Sequence, residues 1–306
     1  MTMITPRTPR NPLAGRVSSS AGPAPSSDPI TRTEPGSTAV PRGTSVTRTA
    51  QEVLTLVGRR LRHVVAAPGR LVGVVMNPLV MLVGVGYLFR DALVVPGGGS
   101  SYIDFLLAGV AAQTALANLG PTGVSVSIDV HRGLMDRFRS LPISRSAVLV
   151  AHSLSDLLIG LGGLAVVVAT GLVLGWRPTG SAGEITLGFG VLALFTYVVV
   201  WLGIALGMLV RQVESLDAIG ALILVVFTFL SSAILSPSAM PAWIRPVAEW
   251  NPVSAVSQVC RELWGNPVAA GTSFPAEHPW VVVCVTCSIL LTACVVISLR
   301  RYRSGA

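Results

Sequence analysis

Six apolar runs constrain this chain more than any other feature, because each is near the roughly 20 residues that cross a bilayer core. They cover about 71–89, 103–128, 148–176, 185–210, 216–235 and 280–299. A backbone in hydrocarbon must satisfy its own hydrogen bonds, so runs of this length form helices rather than open strands. Composition agrees: 51% of residues are hydrophobic, only 12% are charged, and mean hydropathy is +0.69. The expected fold class is an all-α integral membrane protein with six transmembrane helices spanning residues 67–303.

Details within the runs refine this picture. The sequence Asn118-Leu119-Gly120-Pro121 predicts a bend or break in the second span, tolerable where neighbouring groups satisfy the freed backbone. Gly203 and Gly207, four apart in the fourth span, allow close helix approach, although glycine is frequent in all membrane helices. His152 and Asp156 interrupt the start of the third span. An acid about two turns into a membrane helix marks Asp156 as a possible intramembrane polar site. A placement at the interfacial start of the helix explains it equally well.

The ends of the chain differ from its middle. Residues 1–48 hold eight prolines and six arginines with almost no large apolar residue, which predicts a disordered tail. The tail lacks the apolar stretch of a secretory signal, so it is expected to stay cytoplasmic. Thr49-Ala50-Gln51-Glu52 is a capping box. It opens a helix over 49–66 with Val53, Val57, Leu61 and Val64 on one face and Arg59, Arg60, Arg62 and His63 forming a basic side. That pattern predicts an amphipathic helix lying in the membrane interface.

Charge placement sets the expected orientation. All 22 basic residues are arginines. With both termini inside, twelve of them flank the spans on the cytoplasmic side, and four (Arg90, Arg177, Arg245 and Arg261) fall outside. A net charge of +8 therefore reports topology rather than a nucleic-acid face, and no nucleic-acid partner is expected. The absence of lysine excludes a phosphate loop of the GxxxxGK[ST] type and any Schiff-base chemistry. Cys284 and Cys287 lie inside the last span without partner ligands and are expected to pack as small apolar groups. Cys260 has no second outer cysteine to bridge with. The four histidines form no HExxH or triad-like motif, so neither a metal site nor a catalytic group is expected.

Two segments outside the spans stand out. The loop 129–146 concentrates charge between apolar runs. Leu134, Phe138 and Leu141 share one face of a short helix; Arg132, Asp136 and Arg139 share another. Pro142 ends that helix and Ser144 is placed to cap the next. A docking helix for a soluble partner and a solvated basic loop that only sets topology both fit these residues. The outer segment 236–279 holds seven prolines together with Trp243, Trp250 and Trp264. It is predicted to break into short helices anchored by tryptophan at the membrane boundary. An aromatic-anchored outer loop is the simpler account.

The run Gly133-Leu134-Met135-Asp136-Arg137-Phe138-Arg139-Ser140-Leu141-Pro142, with Arg145, Val148-Leu149 and Asp156, resembles the signature loop of ABC type-2 exporter permeases. Within that family it is similar to the daunorubicin/doxorubicin-resistance permeases of actinobacteria. A second block, Met240-Pro241-Ala242-Trp243 with Asn251-Pro252, resembles the family's pattern before its last span. The resemblance covers about 54–301. It implies a transport subunit, not an enzyme, working as a homodimer with a separate ATPase that carries ATP and Mg2+. This chain then binds no cofactor. Arg132, Gly133, Leu134, Asp136, Arg137, Phe138, Arg139, Leu141 and Pro142 would couple to the ATPase. Met240, Pro241, Trp243, Asn251 and Pro252 would belong to an outer gate. The implied setting is a bacterial plasma membrane with its lipids, and the implied cargo an amphipathic small molecule such as a drug or antibiotic. Export of a polysaccharide or lipid-linked glycan is the alternative within transport. An intramembrane enzyme or a membrane anchor is the alternative outside it.

Overall fold

A computed structural model describes residues 68–88, 102–131, 145–210, 212–234, 237, 240–266, 268 and 273–304, with the side chains of 68–75, 77, 145–148 and 302–304 left out. The expected tail, the 49–66 helix and residues 132–144 of the charged loop lie outside them. The described residues form ten helices and no strand. These are α1 (Pro68–Leu88), α2 (Tyr102–Leu116), α3 (Leu119–His131), α4 (Arg145–Val173), α5 (Ala182–Leu209), α6 (Val213–Phe229), α7 (Arg245–Glu249), α8 (Pro252–Trp264), α9 (Phe274–Glu277) and α10 (Pro279–Ser304).

Four stretches among the described residues are long and apolar enough to cross a membrane: Tyr102–His131, Leu149–Val173, Ala182–Leu209 and Pro279–Arg301. The other two expected spans correspond to α1 and α6. At 17 residues α6 is about 26 Å long at ~1.5 Å per residue, slightly short of a hydrocarbon core of ~30 Å.

α2 is apolar on every face, and all its residues except Asp104 are buried, the placement expected of a helix without a polar stripe. α5 packs against α2, α3, α4, α8 and α10, while α1 packs on α2 and α4. The predicted break in the second span is present, between α2 and α3. The Asn118 side-chain amide donates to the carbonyls of Thr114 (3.0 Å) and Ala115 (3.3 Å), and the Asn118 backbone N–H also donates to Ala115 (3.3 Å), so the last turn of α2 stays bonded where the helix is interrupted. Pro121 sits in the first turn of α3, where a missing N–H costs least.

Glycines bring α3 against its neighbours. A Cβ at Gly207 would lie 2.5 Å from the Gly123 carbonyl oxygen, and one at Gly203 would lie 2.9 Å from that of Leu119. A Cβ at Gly220 of α6 would lie 2.6 Å from the Cα of Gly120. Both crossings therefore depend on absent side chains.

α4 ends in a Schellman turn. Trp176 N–H donates to Gly171 (2.9 Å), and Gly175 adopts φ 103, which favours glycine. α5 then starts on a capping box in which the Ser181 N–H donates to the Glu184 carboxylate (2.7 Å) and the Glu184 N–H donates to the Ser181 hydroxyl (3.3 Å).

Candidate functional site

The segment 236–279 does form short helices, and proline opens them: Pro246 in α7, Pro252 in α8 and Pro275 in α9 all stand in first turns. It is not a loose loop, however. α8 packs against α2, α5 and α10, and most of its residues are buried.

On α8 and its N-cap, Asn251, Ser254, Gln258 and Arg261 recur at spacings of three, four and three, so they share one face. That face makes hydrogen bonds to the backbone of other elements. The Asn251 side-chain oxygen accepts from Val253 N–H (2.9 Å), capping α8, while its amide donates to the carbonyls of Phe227 (2.9 Å) and Leu230 (2.7 Å). One side chain thus starts α8 and closes the end of α6. The Ser254 hydroxyl accepts from Ser232 N–H (2.8 Å), and the Gln258 amide donates to the carbonyl of Ala276 (3.0 Å).

Arg261 is the centre of this arrangement and is fully buried. Its Nε donates to the Phe105 carbonyl, and one terminal nitrogen donates to those of Ser232 and Ala233, all at 3.0 Å. The guanidinium carbon stands 3.6 Å from the Phe105 ring centroid, a cation–π contact. Burial lowers its pKa from 12.5 to about 9, so the group remains charged at neutral pH. Arg261 therefore joins α8 to the start of α2 and to the turn that follows α6. The turn also receives a hydrogen bond from the Tyr102 hydroxyl to the Ile234 carbonyl (3.2 Å). Gly109 completes the seat: a Cβ there would fall 2.1 Å from the Ala233 oxygen.

The expected outer-gate residues divide on this frame. Met240 and Asn251 are buried, Pro252 is half-buried, and Pro241 and Trp243 are exposed, Trp243 at 77%. Trp250 is exposed as a boundary anchor would be, but Trp264 is not. It is fully buried, 5.1 Å from Trp176 and 5.3 Å from Phe189 between ring centroids, and its N–H donates to Ile185 (3.4 Å). The reading of Trp264 as an anchor is corrected by this packing. Likewise Arg261, counted from the sequence as an outer-loop charge, is a packing element.

At the other end of the α2–α3 pair, the expected coupling residues Arg132 to Pro142 lie outside the described residues. Asp156 is described and buried, at 1% exposure. It lies 3.4 Å from His152 Nδ1; His152 Nε2 faces Asp129 of α3 at 3.6 Å. The histidines thus include one with two acidic neighbours, a grouping no sequence motif marked. Among the described residues, no group of three or more potential ligands is placed to hold a metal ion. Between α4 and α5 an open apolar cleft of about 380 Å³ is lined by Leu161, Leu164, Ala165, Val168, Ala169, Leu172 and Phe189.

A set of long apolar helices, packed with proline-started short helices, defines an integral membrane protein. Residues 51–263 match the family described as ABC-2 type transporter, and the chain belongs to that family as the membrane permease subunit of an ABC exporter. It is 32% identical to a daunorubicin resistance ABC transporter permease, DrrB1 of Streptomyces coeruleorubidus, over 72% of this chain and 76% of that protein. It is 27% identical to a doxorubicin resistance permease, DrrC of Mycobacterium tuberculosis, over 67% of this chain and 76% of the relative. A transport permease of Porphyra purpurea, ycf38, is 30% identical over 71% of this chain and 75% of the relative.

Proposed function

We propose that this permease exports an amphipathic drug or antibiotic, driven by a separate ATPase subunit that holds ATP and Mg2+. The observation that carries the reading is the similarity, over most of both chains, to permeases named for daunorubicin and doxorubicin resistance. The chain works as a homodimer in the bacterial plasma membrane, among its lipids. It has six spans in residues 67–303 and both termini inside. Residues 1–48 form the tail and 49–66 the interfacial helix. The 129–146 loop, through Arg132, Gly133, Leu134, Asp136, Arg137, Phe138, Arg139, Leu141 and Pro142, receives the ATPase movement. The segment 236–279, with Met240, Pro241, Trp243, Asn251 and Pro252, forms the outer gate. The arginine distribution supports the orientation, and the apolar cleft between α4 and α5 supports an amphipathic cargo.

The test is expression in a drug-sensitive bacterial host together with the ATPase subunit that co-purifies with it. Resistance to daunorubicin or doxorubicin should rise, and cell-associated drug should fall only when both subunits are present. Purified permease alone should hydrolyse no ATP. Unchanged drug accumulation at verified membrane levels, or hydrolysis by the chain alone, would refute the reading.

A further inference from the structure

Two of the stretches long enough to cross a membrane, Leu149–Val173 and Ala182–Leu209, border the apolar cleft of about 380 Å³. Much of α4 faces away from the protein: Leu158, Val166, Leu172 and Val173 are all exposed, and in a membrane such a face meets lipid. The α4 lining of the cleft runs through Leu161, Ala165, Val168 and Leu172, spaced by four, three and four, so it follows one side of the helix. Phe189 of α5 forms the other wall, backed by the fully buried Trp264 at 5.3 Å between ring centroids.

Length, lining and charge together define what the cleft takes. Leu161 and Leu172 are eleven positions apart, about 16 Å at ~1.5 Å per residue, or roughly half of a hydrocarbon core of ~30 Å. Leu172 is next to last in α4, so the cleft reaches from the end of the helix to a depth of about one leaflet. Every lining side chain is a hydrocarbon, which suits an alkyl chain and offers no partner to a polar group. The end at Leu172 carries a charge. Arg177 Nη1 donates to the carbonyls of Leu172 (2.9 Å) and Trp176 (2.8 Å), which places the guanidinium over the C-terminus of α4. One nitrogen makes both bonds, leaving Nε and Nη2 of this exposed side chain to a ligand. Glu184, the nearest acid along the chain, is engaged with Ser181 in the capping box that starts α5.

We propose that the α4–α5 cleft binds one acyl chain of an anionic phospholipid, whose phosphate meets Arg177 while the chain lies against Ala165 and Ala169. Surrounding lipid tails are as apolar as the cleft, so contact with the chain alone gives no preference, and selectivity lies in the headgroup. A single basic side chain near the membrane surface favours an anionic lipid by about five-fold. An amphipathic cargo entering the same cleft has to displace that lipid.

The test is lipid retention by the full-length permease, purified in mixed micelles of phosphatidylglycerol and phosphatidylcholine with identical acyl chains and read by native mass spectrometry. The wild type should retain phosphatidylglycerol over phosphatidylcholine by about five-fold. Arg177→Gln should bring that ratio close to one, and Arg177→Lys should keep most of it. Ala169→Phe fills the cleft from an exposed position and should remove the retained phosphatidylglycerol. Val166→Phe, exposed on α4 but outside the cleft, should leave it in place. Equal retention of the two lipids by the wild type overturns the proposal without recourse to any variant. So does wild-type retention of phosphatidylglycerol by both Arg177→Gln and Ala169→Phe. Daunorubicin bound by a permease that shows no lipid preference, and lost in Ala169→Phe, makes the cleft a cargo site and also overturns it. No readout involves the ATPase, so a failure of drug export refutes the transport reading and leaves the lipid site standing.

Discussion

Replacing Arg261 with Met keeps an unbranched stem and removes the guanidinium with its charge and donors. The carbonyls of Ser232 and Ala233 lie in the turn after α6 and receive Arg261 hydrogen bonds at 3.0 Å. Leaving a buried acceptor unsatisfied costs roughly 1–3 kcal/mol each. Loss of the guanidinium from the Phe105 face, where it stands 3.6 Å from the centroid, costs up to about 2 kcal/mol more. Relief from burying a charge offsets part of this. The offset is incomplete because the partners are backbone carbonyls that no substitution removes. The net expectation is a loss of about 3–5 kcal/mol, the range for breaking a buried charged network from one side.

Thermal unfolding of the purified permease in detergent measures this directly. At about 2–4 °C per kcal/mol for a chain of this size, the Arg261→Met midpoint should fall by roughly 6–20 °C. Arg261→Lys discriminates between charge and geometry. One ammonium cannot reproduce the planar fork that reaches Phe105 on one side and Ser232 and Ala233 on the other while lying on a ring. It should therefore recover only part of the loss. An Arg261→Met protein that unfolds at the wild-type temperature would show that the buried guanidinium does not hold α2, the turn after α6 and α8 together.

Further substitutions test other contacts. Gly109→Leu should lower both stability and membrane level, because even its Cβ meets the Ala233 carbonyl at 2.1 Å; Gly162→Ala, with nothing within 4 Å, should be tolerated in the same assays. Asn251→Ala should cost about 2–4 kcal/mol in thermal unfolding, from a lost cap and two lost bonds to Phe227 and Leu230. Asn251→Asp should not rescue it, since a carboxylate keeps the cap but cannot donate to carbonyls. In the 129–146 loop, Phe138→Ala removes an apolar contact worth about 1.5–3 kcal/mol and should weaken co-purification of the ATPase about ten-fold or more. Asp136→Arg should do the same by charge while Arg145→Ala should not; full retention by both would leave the loop as a topology signal only.

Helical class was legible because the length of an apolar run is a local property, and so was the interruption at Asn118–Pro121, which proline and glycine impose within a few residues. The closeness foreseen at Gly203 and Gly207 is real, but its partner on α3 was not deducible: small residues permit approach without specifying which helix approaches. Prolines likewise marked the short helices of the outer segment without indicating that α8 would be buried. A sign of that burial was present, since Asn251, Ser254, Gln258 and Arg261 make a polar stripe on an otherwise largely apolar helix. Periodicity alone assigns such a stripe to solvent. Here the partners are the Ser232 N–H and the carbonyls of Phe105, Phe227, Leu230, Ser232, Ala233 and Ala276, backbone groups that no sequence pattern distinguishes. The same limit separates the two contacts of His152. Its pairing with Asp156 spans one helical turn and follows from spacing. Its approach to Asp129 crosses 23 positions and the whole 132–144 loop, so no local spacing marks it. Charge that a positive-inside count assigns to one side of the membrane can therefore be, as at Arg261, a fastener within the protein. The twelve-to-four arginine asymmetry survives that reassignment, because removing Arg261 from the outer count makes it twelve to three.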